Sequence, residues 1–228
     1  MILQALKYAF PYTLPILGGF YFIGFAYGFY MDALGFGFMY PMLMSLLIFA
    51  GSLEMIAATM MLSTFSPASI LLTSFIVQAR HLFYGISMLD KFRNIGIKKY
   101  YIIFGMCDES FAINYSAKIP DHINKGWFYF FVTALNHFFW FSGSTLGGLL
   151  SNSIYIEIKG LEFVMTALFT VILVDCVRAG KNYISGAIGL LCTSLALIIT
   201  GKENFMLVSM GLILLLLLLL KKNQSQKF

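Results

Sequence analysis

Apolar residues occur along this chain in long runs that short charged or turn-forming segments separate. Eight such runs cover residues 13–31, 41–62, 67–89, 100–117, 127–150, 161–177, 183–200 and 205–220. A helix of about 20 apolar residues crosses a bilayer core, and the runs lack the alternation typical of barrel strands. The pattern predicts an all-α, polytopic membrane protein with seven to eight transmembrane helices. The number is seven if one of the runs is re-entrant or broken.

Composition supports a chain that lies almost entirely in the membrane. Apolar residues make up 60% of the 228 residues and charged residues 11%, against about 25% charged residues in soluble domains. Eight spans leave no room for a sizeable soluble domain. We therefore expect a single transmembrane domain, residues 1–228, whose last apolar run gives way to a short polar C-terminal tail at 221–228.

The net charge of +5 comes from basic residues clustered between apolar runs, as in cytoplasmic loops, so nucleic acid is not an expected partner. The basic segment 91–99 and the tail at 221 both look cytoplasmic, yet five runs lie between them. An odd number of crossings would place them on opposite sides of the membrane. This conflict is the reason to expect that one run is re-entrant or broken.

Signatures of enzymes and of cofactor sites are absent from the sequence. The three cysteines, Cys107, Cys176 and Cys192, lie inside apolar runs without metal-ligand spacing. The chain has no phosphate-binding glycine loop with its lysine, no paired-histidine motif and no nucleophile elbow. We expect no metal, no cofactor and no enzymatic activity, and nothing supports an ATP-driven pump.

Several ionisable residues stand inside the apolar runs, where a charge near the bilayer centre costs about 2.5–3.5 kcal/mol. Glu54 lies in the second run, and helical spacing places it on one face with Gly51 and Ala58. Arg80 interrupts the third run and can pair with an acid or hold a substrate carboxylate through two hydrogen bonds. Such residues are functional candidates.

The third run also carries Gln78 and His81, which fall on one stripe at helical spacing. In the fourth run, Asp108 and Glu109 are neighbours and point about 100° apart on a helix. They therefore form no shared-proton dyad. We expect one of them to pair with Arg80 while the other faces a cavity.

The fifth run carries Asn136, His137 and Trp140, followed by Gly143 and Gly147. Helical spacing puts all but His137 on one face, which predicts an aromatic wall beside exposed backbone that suits a compact apolar side chain. A structural interpretation stays open for each residue. Arg80 can form a purely architectural ion pair, the histidines can serve core hydrogen bonds, and Trp140 can simply be packed.

Five segments in order resemble the AzlC family of branched-chain amino-acid permeases. They are residues 49–54, 79–85, 108–112, 136–140 with 143–148, and 160–163 with 166–169. The chain departs from the family pattern at three positions. Glu54 stands where the family commonly has Gln, Glu162 where it has Asp, and Ala79 where Asn often precedes the Arg-His pair.

The resemblance implies a large subunit that exports branched-chain amino acids, and sometimes methionine, across the cytoplasmic membrane by means of the proton gradient. It also implies a small four-helix membrane partner of the AzlD type. Neither the direction nor the partner follows from periodicity or spacing.

The resulting hypothesis assigns a role to each part of the site. Arg80 steadies the substrate carboxylate, Glu54 or Asp108 meets the ammonium or carries the coupling proton, and Trp140 borders the side-chain pocket. The main alternative is a non-transporting scaffold or assembly subunit, in which the same charges only join helices. A second alternative is an intramembrane enzyme acting on lipid, with Asp108, Glu109 and the histidines as acid and base.

Overall fold

The computed structural model describes residues 2–64, 66–93, 95–151, 170, 174 and 183–225. Every regular element within these residues is an α-helix, in agreement with the predicted all-α class. The helices are α1 (Ile2–Ala33), α2 (Met39–Leu47), α3 (Gly51–Met61), α4 (Pro67–Phe92), α5 (Lys98–Phe104), α6 (Asp108–Ser116), α7 (Lys125–Leu150) and α8 (Tyr183–Ser225).

Helix α1 has 32 residues, about 48 Å of helix, and is long and apolar enough to cross a bilayer. Within the described part of the chain, the apolar segment Gly186–Gly201 is too short for that assignment by itself. Helices α4 and α7 have 26 residues each, but polar residues interrupt their apolar character. The count of seven to eight spans therefore stays a prediction.

Among the apolar runs that lie within the described residues, two are broken in the middle. The run 41–62 divides into α2 and α3, and the run 100–117 divides into α5 and α6. At the first break, Phe49 has φ 47° and Ala50 has φ −144° and ψ 79°, so the backbone leaves the helical region. At the second break, Cys107 is extended, with φ −92° and ψ 175°. The charge pattern predicts one re-entrant or broken run, and the described residues contain two broken ones.

Helix α8 covers the last two predicted runs. Its backbone leaves the helical conformation at Gly201, where φ is 70° and ψ is −174°, close to the predicted boundary between the two runs. A positive φ of this kind costs glycine little, since glycine has no Cβ. The helix continues past Lys221 and Lys222 to Ser225, so the polar tail begins as helix.

The tightest packing joins α1 to α7 through small residues. A Cβ on Gly28 would overlap the backbone of Gly147 and Gly148, and a Cβ on Gly24 would lie 3.0 Å from the backbone nitrogen of Ser144. Small residues at a crossing let two membrane helices approach closely. The prediction that Gly143 and Gly147 leave backbone exposed beside a substrate was wrong, because α1 covers this face.

Several predictions fall outside the described residues and have no structural outcome. They concern most of the run 161–177 and the family-like segments 160–163 and 166–169. The individual residues in this group are Glu162 and Cys176.

Candidate functional site

A cavity lies where the two broken runs meet α1, α4 and α7. It contains about 520 Å³ of empty space, part of which is open to the surroundings. The lining residues are Phe20, Ile23, Phe49, Ala50, Gly51, Ser52, Gln78, Arg80, His81, Cys107, Asp108, Glu109 and Trp140. Both helix breaks thus contribute to one site, although they are more than 50 residues apart in the chain.

The breaks direct two helix beginnings at this cavity. Helix α3 begins at Gly51 and α6 begins at Asp108, and both residues line it. The first turn of a helix carries backbone N–H groups without helical partners and a partial positive charge. Discontinuous membrane helices use such ends to hold anionic groups of a ligand. The cavity therefore offers backbone donors as well as charged side chains.

Arg80 and Asp108 form an ion pair at the cavity, with 2.9 Å between guanidinium Nη1 and carboxylate Oδ2. Arg80 Nη2 donates to Ser52 Oγ at 3.1 Å, and the Tyr84 hydroxyl donates to Asp108 Oδ1 at 2.7 Å. The side chains of Arg80 and Asp108 keep 25% and 13% of their surface exposed. The sequence predicts that Asp108 or Glu109 pairs with Arg80, and the structure places Asp108 in contact with it.

Glu109, Gln78 and His81 also line the cavity. Glu109 is 7% exposed, so the acid next to Asp108 faces the same space without sharing its ion pair. This is the arrangement expected from the 100° offset between neighbouring helical residues. The His81 ring lies edge-on to Tyr84, with 5.4 Å between ring centroids.

Glu54 lies behind the cavity wall and does not line it. Its side chain is fully buried, and its Oε1 accepts from the Ala50 backbone N–H at 2.9 Å and from Trp140 Nε1 at 3.1 Å. Trp140 itself lines the cavity and stacks on Tyr27 at 5.9 Å between centroids. The buried acid therefore fixes both the start of α3 and the indole that borders the site.

Asn136 and His137 do not line the cavity and instead contact the broken helices. Asn136 Nδ2 donates to Ser110 Oγ at 3.1 Å, in the first turn of α6. The His137 Nε2 lies 3.2 Å from the Ser45 carbonyl oxygen near the end of α2, and its Nδ1 lies 3.0 Å from the Tyr101 hydroxyl. These α7 residues hold the ends of α2 and α6 in place.

Sequence reasoning missed Phe20, Ile23 and Phe49, which form most of the apolar side of the cavity. Phe20 and Ile23 share a helical face by three-residue spacing, but α1 is aromatic and aliphatic throughout, so this face had no distinguishing signal. Phe49 lies in the family-like segment 49–54, where its apolar side chain does not distinguish it from its neighbours. Its positive φ is a feature of the backbone that sequence pattern does not reveal.

No metal site is visible in the part of the chain that the structure describes. Within it, no three His, Cys, Asp or Glu side chains are grouped closely enough to hold an ion. The acids of the site contact Arg80, Tyr84, Trp140 and backbone N–H groups instead.

The fold and the cavity are those of an all-helical membrane protein with a polar, partly charged site between broken helices, a class to which many transporters belong. The family model described as "AzlC protein" matches residues 15–154. The chain belongs to the AzlC family.

Three relatives support this membership. The chain is 49% identical to the "Branched-chain amino acid transport protein AzlC" of Bacillus subtilis, over 97% of this chain and 87% of the relative. It is 49% identical to an "Uncharacterized membrane protein" of Haemophilus influenzae, over 90% of this chain and 85% of the relative. A Helicobacter pylori protein with the same description is 31% identical over 96% of both chains. No solved structure matches the chain.

These relationships support a transport role and a location in the membrane. They agree with the cavity, because ionisable residues inside membrane helices commonly mark a pathway for a substrate or an ion.

Proposed function

We propose that this chain is the large subunit of a secondary transporter that moves branched-chain amino acids across the cytoplasmic membrane. The name of the Bacillus subtilis relative supports this substrate class, at 49% identity over nearly the whole chain. The structural observation that carries the proposal is the Arg80–Asp108 ion pair at a cavity whose other side is apolar. A zwitterion with an apolar side chain complements both sides.

The ion pair provides complementary groups for the two charges of an amino acid. The substrate carboxylate binds Arg80 in place of Asp108, with further donors from the Ser52 hydroxyl and the first turn of α3. The ammonium group then binds Asp108, with Glu109 nearby on the same wall. An empty site therefore keeps its charges paired, and an occupied site replaces that pair with two pairs to the ligand.

The transport proposed is export coupled to the proton gradient, with methionine as a further substrate. Its support is the family resemblance together with the acids at the site, Glu54, Asp108 and Glu109. Glu109 lines the cavity, whereas Glu54 contacts two lining residues, Trp140 and Ala50, without lining it itself. Glu109 is therefore our first candidate for the proton carrier, and Glu54 is the second.

The resemblance also supports a small four-helix partner of the AzlD type, which we propose as the second subunit. The full chain should accordingly be reconstituted in liposomes both alone and with that subunit. Flux that requires the partner identifies a two-subunit transporter, and equal flux without it contradicts the partner proposal.

The ion pair is tested by leucine efflux from loaded proteoliposomes. Arg80→Ala and Asp108→Asn should each reduce efflux about thirtyfold, because each variant loses a hydrogen bond between charged groups of the site and the ligand, worth about 2 kcal/mol. Their amounts in the membrane should stay near that of the unmodified chain. Matched controls are Arg93→Ala and Asp90→Asn, which change exposed residues at the C-terminal end of α4 and should leave efflux unchanged.

Unmodified efflux in both site variants would refute the assignment. A chain that binds the small partner but moves no amino acid would favour the scaffold alternative, in which the Arg80–Asp108 pair only joins α4 to α6. Product formation from lipid without dependence on amino acids would favour an enzyme.

A further inference from the structure

The cavity is polarised from one end to the other. Its charged side contains Arg80 and Asp108, which keep 25% and 13% of their side-chain surface exposed. Its apolar side contains Phe20, Ile23 and Trp140, which are 6%, 2% and 4% exposed. Arg80 and Asp108 are thus the more exposed residues of the lining, and Phe20, Ile23 and Trp140 form a buried apolar side, called the inner end below.

The inner end is held rigidly. Trp140 is fixed by hydrogen bonds from its Nε1 to both carboxylate oxygens of Glu54, at 3.1 Å and 3.2 Å. Phe20 lies edge-on to the Trp140 ring, with 5.8 Å between centroids. The α1 backbone cannot retreat toward α7, because Gly24 and Gly28 already contact it closely. A wall fixed in this way gives a sharp limit on ligand size, since well-packed cores resist added volume.

Ile23 is the most buried of the large apolar residues that line the cavity. It is the least exposed of the lining residues on α1, and it lies one helical turn from Phe20 on the same face. Its side chain is aliphatic and makes no hydrogen bond. Shortening it therefore adds space on the apolar side of the cavity without removing a charge, a hydrogen bond or the contact between Trp140 and Glu54.

We propose that Ile23, together with Phe20, sets the upper size limit for the substrate side chain, so that branched aliphatic side chains are accepted and aromatic ones rejected. This inference rests on the proposed transport function and deepens it. The amino acid binds with its charged groups at Arg80 and Asp108 and its side chain against α1. Selectivity then comes from a helix that carries none of the charged residues of the site.

The test is competition in leucine counterflow with the full chain in liposomes that also contain the small partner. Unlabelled phenylalanine, isoleucine and valine compete with labelled leucine. Ile23→Ala should improve inhibition by phenylalanine relative to valine by about tenfold or more, as expected when a pocket gains room for more than one methylene. Ile23→Val is a milder change that preserves packing. It should improve inhibition by isoleucine relative to inhibition by valine by about fourfold, which corresponds to the free energy of one buried methylene.

Phe22→Ala is the matched control. Phe22 precedes Ile23 on the same helix but is 54% exposed on the outer face, so its loss should leave the order of competitors unchanged. Altered selectivity in the Ile23 variants with unaltered selectivity in Phe22→Ala supports the proposal.

Two negative results are distinguishable. If the unmodified chain carries leucine and both Ile23 variants keep the original order of competitors, the size limit lies elsewhere and only this inference fails. If the unmodified chain carries no amino acid, the proposed function fails, and the inference fails with it.

Discussion

Two ionisable residues, Glu54 and Arg80, play different parts although both interrupt apolar runs. Arg80 contacts Asp108 at the cavity and keeps a quarter of its side chain exposed. Glu54 is fully buried and is satisfied by the Trp140 indole and the Ala50 backbone N–H. A buried acid that accepts hydrogen bonds from neutral donors can be a positioning residue, whereas a charge pair at an opening can exchange partners with a ligand.

Glu54→Gln should preserve the folded protein, and Glu54→Leu should not. Both the Ala50 N–H and the Trp140 Nε1 donate to Oε1 of Glu54, at 2.9 Å and 3.1 Å, and the single amide oxygen of Gln can accept both bonds. Leu leaves both donors unsatisfied, at a cost of about 1–3 kcal/mol each. Thermal unfolding in detergent should show a large decrease in Tm for Glu54→Leu and little change for Glu54→Gln.

The same pair of variants separates positioning from proton transfer. Glu54→Gln should retain leucine counterflow, because counterflow needs no proton gradient. If the same variant loses leucine accumulation driven by the proton gradient, Glu54 is the proton carrier. A Glu54→Leu protein as stable as the unmodified chain would contradict the structural role.

At the residue scale, the sequence indicated which ionisable residues belong to the candidate site but not which side chains contact each other. The charges inside apolar runs identified Arg80, Asp108 and Glu109, and the physical reason is the cost of placing them in lipid. The choice of Asp108 as the partner, and the contact between Glu54 and Trp140 across 86 positions, depend on how helices meet. Local pattern contains no information on either contact.

At the scale of the elements, helix α7 contacts the helices on both sides of the two breaks. Thr133 lies beside Gly105, directly after α5, and Asn136 donates to Ser110 of α6. His137 contacts the Ser45 carbonyl of α2, and Trp140 donates to Glu54 of α3. Helix α1 packs on another part of α7 through glycines. The continuous helices thus form a frame on which the interrupted ones are positioned.

The frame is tested by the same substitution at two glycines of α1. Gly28→Ala places a methyl group against the backbone of α7, which should cost about 1–3 kcal/mol by overpacking. Gly18→Ala meets nothing within 4 Å, so it should leave stability unchanged or raise it through the better helix propensity of alanine. Thermal unfolding of the two purified variants gives the comparison. Equal stability would show that α1 and α7 do not pack as described.

Helix positions were well predicted where the sequence contains explicit end signals. Helix α4 begins at Pro67 after the N-cap Ser66, whose hydroxyl accepts from the Ser69 N–H, and the predicted run begins at the same residue. The breaks inside α2–α3 and α5–α6 were not located, because apolar composition continues through them. Their stabilising partners lie on α7, far away in the sequence.

At the scale of the whole molecule, the central claim is that an amino acid occupies the cavity between the two breaks. Cys107 provides a native reporter, since it lines this cavity and is partly exposed. Cys192 is buried in α8, away from the site. With Cys176 and Cys192 changed to serine, Cys107 becomes the only thiol of the chain.

The measurement is the rate at which a charged methanethiosulfonate reagent modifies Cys107 in the reconstituted protein, with and without leucine. Leucine should slow the reaction in a saturable manner, and Arg80→Ala should abolish this protection while the unprotected rate persists. A reaction rate that saturating leucine leaves unchanged, in a protein that still transports leucine, would contradict the account.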